Sequence, residues 1–253
     1  RPGGGAADAA VGAGDDERPA VEGGQILGGP FRRGHTGNVA ADNNAVNAYI
    51  GYDPAAMTAR PYHHGNLRPA LLSCAERTLR EDGVAGLSLR ELARRVGVSH
   101  GAPRRHFADK QALLDALAED GFERLGRELT DSMDAAGDGF EPRLRALAHS
   151  YVRFATDHAA LLELMFAGKH RPDAGDSLQD ASTRAFEVPL ALFAAAQSEG
   201  EVVGGDAERI AIVAFATLHG LAALANSGML DRAALDRVVD DAVQRLVLGL
   251  RPR

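Results

Sequence analysis

Residues 88–110 read SLRELARRVGVSHGAPRRHFADK, and this stretch decides the fold. Ser88 and Glu91 have the S-x-x-E spacing of a capping box, in which each side chain satisfies the other's free backbone N–H. Leu89, Leu92, Ala93 and Val96 then give a short helix over 89–96 one apolar face. Gly97 supplies a tight turn, Val98 an anchor to the core, and Ser99 an N-cap for a second helix over 100–107. Two short helices joined by a glycine-containing turn, the second rich in Arg and His, form a helix-turn-helix pattern suited to the major groove. The second helix presents His100, Arg104, Arg105 and His106, and the small Gly101 and Ala102 allow close backbone approach. An Arg there can bond guanine through O6 and N7 or clamp a phosphate. The helix N-termini at Ser88 and Ser99 offer N–H groups to phosphate oxygens. The plain alternative is a solvated basic face on a small helical hairpin.

Working outward, charge is divided along the chain. Residues 57–112 carry ten Lys or Arg against five Asp or Glu, whereas residues 113–253 carry fourteen against twenty-three, so a basic module precedes an acidic body. The net charge of -7 excludes a protein coated all over with nucleic-acid-binding charge. Attraction to phosphate is screened beyond roughly 10 Å, so the acidic body does not forbid DNA binding by the basic module.

From about Asn66 the hydrophobic period is helical, with Leu67, Leu71, Leu72, Ala75 and Leu79 on one face and Gly83 as a stop. Further helices are expected at 109–133, 141–158, 159–167, 177–199, 206–226 and 231–249, with a loop at 168–176. The fold class is therefore all-α: a three-helix DNA-binding head over 61–112, then a helical ligand-binding and dimerisation domain over 113–253. Residues 1–60 form a separate Gly/Ala-rich segment. Residues 1–56 hold twelve of the 29 glycines and no amphipathic period, which predicts disorder. This segment is either a flexible arm or not native protein, with translation starting at Met57, and the second reading is preferred.

The span 66–120 resembles the tetracycline-repressor (TetR) family of transcriptional regulators. The residues that carry the likeness are Val98-Ser99, Gly101, His106-Phe107, Lys110 and Leu113. The resemblance implies that Ser88, Ser99, Arg104, Arg105, His106 and Lys110 lie where the family touches DNA. It also implies an allosteric mechanism, in which an effector shifts the spacing of two recognition helices and releases a palindromic operator. One departure is Arg104, which stands where the family usually has Tyr. Residues 216–221, ATLHGL, resemble the Trp-His-Gly signature of one subgroup, with Leu218 in place of Trp.

Two features of the second half suggest a homodimer. The helices at 206–226 and 231–249 are apolar over wide arcs, with Ile210, Val213 and Leu221 on the first and Leu235, Val239 and Leu246 on the second. The resemblance would pair them with their symmetry mates; burial within one subunit is the alternative. An effector cavity would be lined by Tyr151, Phe154, Met165, Phe166, Phe186, Phe193 and Phe215, with His149, His158 or His219 for polarity. A small apolar effector is expected, although such a set is also what a plain core looks like.

No catalytic residue, metal site or cofactor is assigned: H-E-x-x-H, paired cysteines, G-x-S-x-G and a phosphate-cradling loop are all missing. His63 and His64 read as exposed residues, and Asp240-Asp241 as a solvated pair. Cys74 is the only cysteine, and no uninterrupted apolar run reaches the roughly 18–20 residues that span a bilayer. The expectation is a soluble, cytoplasmic protein whose partners are double-stranded DNA, a second copy of itself and an apolar effector, with no membrane association. A rival of another class is an all-α enzyme or small-molecule-binding protein whose basic head is incidental.

Overall fold

A computed structural model describes residues 67–252. The expectations for residues 1–66, including the start at Met57 and the role of His63 and His64, lie outside the described residues. Eight α-helices run in order: α1 (Leu67–Gly86), α2 (Leu89–Val96), α3 (Lys110–Ala135), α4 (Phe140–Asp157), α5 (Ala159–Lys169), α6 (Asp176–Ser198), α7 (Ala207–Asn226) and α8 (Arg232–Leu250). No strand occurs among the described residues.

The caps explain most boundaries. Asp109 accepts from the Ala112 N–H (2.8 Å), Asp206 from Glu208 N–H (3.0 Å) and Asp231 from Ala233 N–H (2.9 Å), each satisfying a donor that a helix start leaves free. Glycine precedes α4 and offers no side chain, so Glu201, far along the chain, accepts from the Phe140 N–H at 3.2 Å. Within α1, Gly83 departs from helical geometry at φ 66°, which places a kink where the sequence puts a stop.

One expected element is missing. In place of a helix over 100–107 there is only a three-residue 3-10 helix, Pro103–Arg105. Proline has no N–H to return to the Ser99 carbonyl and its ring crowds that position, so a regular α-helix cannot run through it. The Ser99 carbonyl instead accepts from the Ala102 N–H at 2.9 Å, and the Ser99 side chain caps nothing.

The 26-residue α3 is the spine. It leaves the head and packs on α4, α5 and α6; α4 in turn packs on α7 and α8, and α6 on α7. The core between them is built of Leu125, Leu144, Phe122, Phe193, Leu218 and Val239, all nearly or fully buried.

One helix, α7, is long and apolar enough to cross a membrane by length and composition, which the count of uninterrupted apolar residues did not anticipate. Only 17% of its most apolar window is buried within the subunit. Ala214, Leu218, Ala222 and Ala225 face the core, while Ile212 (57% exposed), Val213 (60%) and Leu224 (37%) face outward. Leu248 of α8 is 55% exposed.

Candidate DNA-binding surface and effector cavity

The head is held together by charge as well as by its apolar face. Ser88 caps α2 by accepting from the Glu91 N–H at 3.1 Å. The reciprocal half of the expected capping box does not form, because the Glu91 carboxylate accepts from Arg94 (2.6 and 2.9 Å) and Arg95 (3.0 Å) instead. Those bonds hold the Glu91 carboxyl at about 2, well under its ordinary 4.5. Arg95 also donates to Thr78, Glu81 and Asp82 on α1, which locks α2 against its neighbour. Gly97 closes α2 at φ 77°, a left-handed conformation that costs a glycine little. Lys110 donates to the Val84 carbonyl at 2.6 Å, so the structure places its ammonium at the kinked end of α1.

The 3-10 turn stands apart from this network. Arg104, Arg105 and His106 are exposed, and among the described residues neither arginine has a carboxylate within ion-pair distance. The turn is fastened from below by Pro103 and Phe107, both buried. His100 and Ser99 are exposed beside it. At Gly101 an added Cβ would meet nothing within 4 Å, so the subunit itself does not require a glycine there. The cluster therefore presents two free guanidiniums on a rigid turn next to an open backbone, which suits a phosphate-rich partner.

Head and body meet at a second charged group. Arg124 of α3 donates two hydrogen bonds of 3.0 Å to Glu76 of α1, and His158, between α4 and α5, pairs with the same carboxylate at 2.9 Å. Burial pushes the Glu76 carboxyl up, but Arg124 and His158 outweigh it and the net shift is downward. Phe154 lies beneath this seam, 5.4 Å from the Arg124 guanidinium and 5.0 Å from the His158 ring. Sequence reasoning missed Glu76 and Arg124, whose partners lie 48 positions apart in the chain.

In the body, a closed slot of about 30 Å3 lies between α3, α4, α6 and α7. Of the expected lining residues, Tyr151, Phe186, Phe193 and Phe215 are on its wall, together with aliphatic side chains such as Leu125, Leu129, Leu144 and Leu218. Phe154 and Met165 are not. Phe154 belongs to the head–body seam, and Met165 fills the space left by Gly121, where a Cβ would come within 2.7 Å of its sulfur. Phe166 sits outside the slot in an aromatic cluster, 6.1 Å from Phe186 and 6.0 Å from Phe215. Pro189 is also on the wall; inside α6 it denies Ala185 the N–H that would normally meet its carbonyl.

The three candidate histidines all have partners. His219 shares a 2.8 Å hydrogen bond with the Tyr151 hydroxyl and stacks on Phe215 (5.4 Å). Burial pushes the Tyr151 phenol above its ordinary value. His158 belongs to the seam, and His149 bonds Asp240 at 3.0 Å. Asp240 is thus not merely solvated: it also accepts from Arg145 at 2.6 Å, and His149 and Arg145 together lower its carboxyl.

Among the expected dimer residues, Val213 is exposed and Ile210, Leu221 and Leu246 are half-buried. Leu235 (7% exposed) and Val239 (fully buried) turn into the subunit's own core and cannot also face a second copy. The outward apolar positions that periodicity did not single out are Ile212, Leu224 and Leu248.

Comparison with known proteins follows the same division. Residues 71–117 match the family model "Bacterial regulatory proteins, tetR family", and residues 144–250 match "Tetracyclin repressor-like, C-terminal domain". The class D tetracycline repressor protein of Escherichia coli is 37% identical over 86 residues, which is 34% of this chain and 38% of that protein. The chain thus matches well under half the length of that relative. A solved protein of unknown function from Rhodococcus sp. RHA1 is 49% identical, with a TM-score of 0.72, covering 77% of this chain and 100% of that one. A TetR family transcription regulator from Marinobacter aquaeolei VT8 shares the fold at 18% identity, with a TM-score of 0.60 over 74% of this chain and 96% of its own.

Proposed function

Since the chain belongs to the tetracycline-repressor family of bacterial regulators, we propose that it is a ligand-responsive transcriptional repressor that binds a pseudo-palindromic site on double-stranded DNA as a homodimer. The observation that carries this reading is the rigid, exposed turn bearing Arg104 and Arg105 without counter-charges, beside Gly101. Two such turns, related by a two-fold axis, would meet successive major grooves roughly 34–36 Å apart. His100, His106 and Ser99 flank the turn and would contribute to the same surface, with the Ser88 end of α2 beside the phosphate backbone. Lys110 would act through the fold, by holding α1.

The dimer would form through the outer faces of α7 and α8. Ile212, Val213, Leu224 and Leu248 make an apolar surface that a monomer would leave in water. Packing α7 and α8 against their symmetry mates buries that surface and accounts for the unusual hydropathy of α7.

The effector would enter the slot beside α3. Leu125 and Leu129 line the slot, and Arg124, the next residue along, grips Glu76 of the head. A ligand that displaces this part of α3 would therefore move the seam and, with it, the spacing of the two turns. It can shift that equilibrium only by its differential affinity for the two spacings. On this reading residues 61–112 form the DNA-binding domain and 113–253 the effector and dimerisation domain.

The test is selection from a random duplex pool by the full chain. Enrichment of a palindrome is the expected result. A dimeric protein that enriches nothing at low salt would leave the rival, a helical small-molecule-binding protein with an incidental basic head.

A further inference from the structure

Outside the slot, between α5, α6 and α7, lies an open groove of about 700 Å3. The two spaces share a wall made of Phe186, Pro189, Ala211 and Phe215. Phe186 and Phe215 meet edge-on, with ring centroids 5.3 Å apart, and close the slot from the groove. The slot alone holds no more than a couple of waters. Anything larger must lie in the groove and reach inward by parting these two rings.

The groove is asymmetric in charge. On one side Lys169, in the last turn of α5, rests its ammonium 4.2 Å from the Phe186 ring centre and 4.9 Å from that of Phe166. It is half-buried, and among the described residues no carboxylate lies within ion-pair distance of it. The α5 end that carries it is pinned, because Gln179 of α6 donates to the Lys169 carbonyl at 2.6 Å. Ser182 and Thr183 add hydroxyl donors nearby on the same wall. On the other side stand Glu187 and Glu208, both exposed and hydrated.

We propose that the effector is an amphipathic monocarboxylate, its carboxylate at Lys169 with Ser182 and Thr183, and its slim apolar chain running past Phe186 and Phe215 into the slot. This rests on the reading of the slot as the effector site and sharpens it from an apolar ligand to an anionic-headed one. The cation decides the sign. A half-buried ammonium held only by ring faces has lost part of its hydration and gained no counter-charge, so a carboxylate gives it what the fold withholds. Exposed glutamates keep their water and gain less from an amine. The burial of Lys169 lowers its own proton affinity, and a bound carboxylate reverses that. An alkyl or single-aryl chain matches the slot, whereas a broad polycycle does not.

The experiment is titration calorimetry of the full chain, without DNA, with sodium octanoate and dodecanoate, methyl octanoate and octylamine. Octanoate should bind at least about tenfold more tightly than the ester or the amine, as a charge-assisted bond would give. Lys169→Met, which keeps the stem over the rings, should bring acid and ester to equal affinity while leaving ester binding in place. Lys169→Arg should keep the preference. Ester or amine binding as tight as the acid, a preference that survives Lys169→Met, or no binding of either acid would overturn the proposal. Because DNA is absent, these outcomes are separate from the effector reading itself. Acids that bind through Lys169 but never change affinity for the selected palindrome would sink that reading and leave the site standing.

Discussion

Two Arg-Arg pairs stand ten positions apart in the head, and the fold uses them in opposite ways. Arg94 and Arg95 sit on a regular helix whose caps are satisfied, and carboxylates from α1 and from their own helix surround them. Arg104 and Arg105 sit on a turn that Pro103 has cut to three residues, with no carboxylate in reach among the described residues. The same dipeptide holds the head together in one place and faces outward in the other. What separates them is local: Glu91 lies three and four residues before the first pair, on the same helical face, while nothing acidic precedes the second at that spacing.

The largest expected effect comes from breaking the contrast at the free pair. The double variant Arg104→Ala/Arg105→Ala should lose about a hundredfold in affinity for the selected palindrome, as two lost guanidinium contacts would give. Its melting temperature should match the parent's. A large fall in stability would mean that these arginines also belong to the fold.

Next is the seam that joins the two regions. Glu76→Ala leaves Arg124 half-buried and without its carboxylate. It should cost about 2 kcal/mol, under the range for a fully buried pair because both groups retain some exposure. Thermal or denaturant unfolding would read this, and an unchanged midpoint would remove the seam as a coupling element.

Arg95→Ala should lower the melting temperature by less, because each of its ion pairs is partly in water. DNA affinity should follow stability here rather than precede it, the reverse of the free pair. If Arg95→Ala weakens DNA binding with stability intact, the two pairs are not divided as described.

The smallest effect is a pH dependence. The Glu91 carboxyl is held at about 2 in the folded chain, against an ordinary 4.5. A depressed carboxyl contributes stability that is present above pH 4.5 and lost as pH falls through that value toward 2. The stability gap between the parent and Glu91→Gln should therefore be widest at neutral pH and shrink below pH 4. A gap that widens in acid would contradict the assignment.

Much of this arrangement was legible from residue spacing, and the misses share physical causes. The helices from α3 to α8 fall within two residues of their expected bounds, because apolar period and Asp caps agree at Asp109, Asp206 and Asp231. The second helix of the helix-turn-helix was misjudged, since Arg and His suggested a helix face while Pro103 removed the bond that would sustain it. Periodicity found α8 apolar but not which neighbour covers it, so Val239 and Leu235 read as interface although the subunit buries both. The slot was sought among Phe and Met, yet its wall is largely leucine. Phe154 and Met165 were drawn off by a guanidinium and a glycine that only the folded chain brings near. The seam, joining positions 48 and 82 apart, leaves no periodic trace at all.

The central claim is that Arg104 and Arg105 are the phosphate-facing charges of the head. It is tested most directly by the salt dependence of affinity for the selected palindrome, in the parent and in Arg104→Ala/Arg105→Ala. Each phosphate contact released changes the slope of log affinity against log salt by about 0.9. A dimer that loses both arginines from each subunit should show a slope shallower by about 3 to 4 if both touch phosphate. An unchanged slope, with binding otherwise intact, would contradict the claim and return the two free guanidiniums to the solvent.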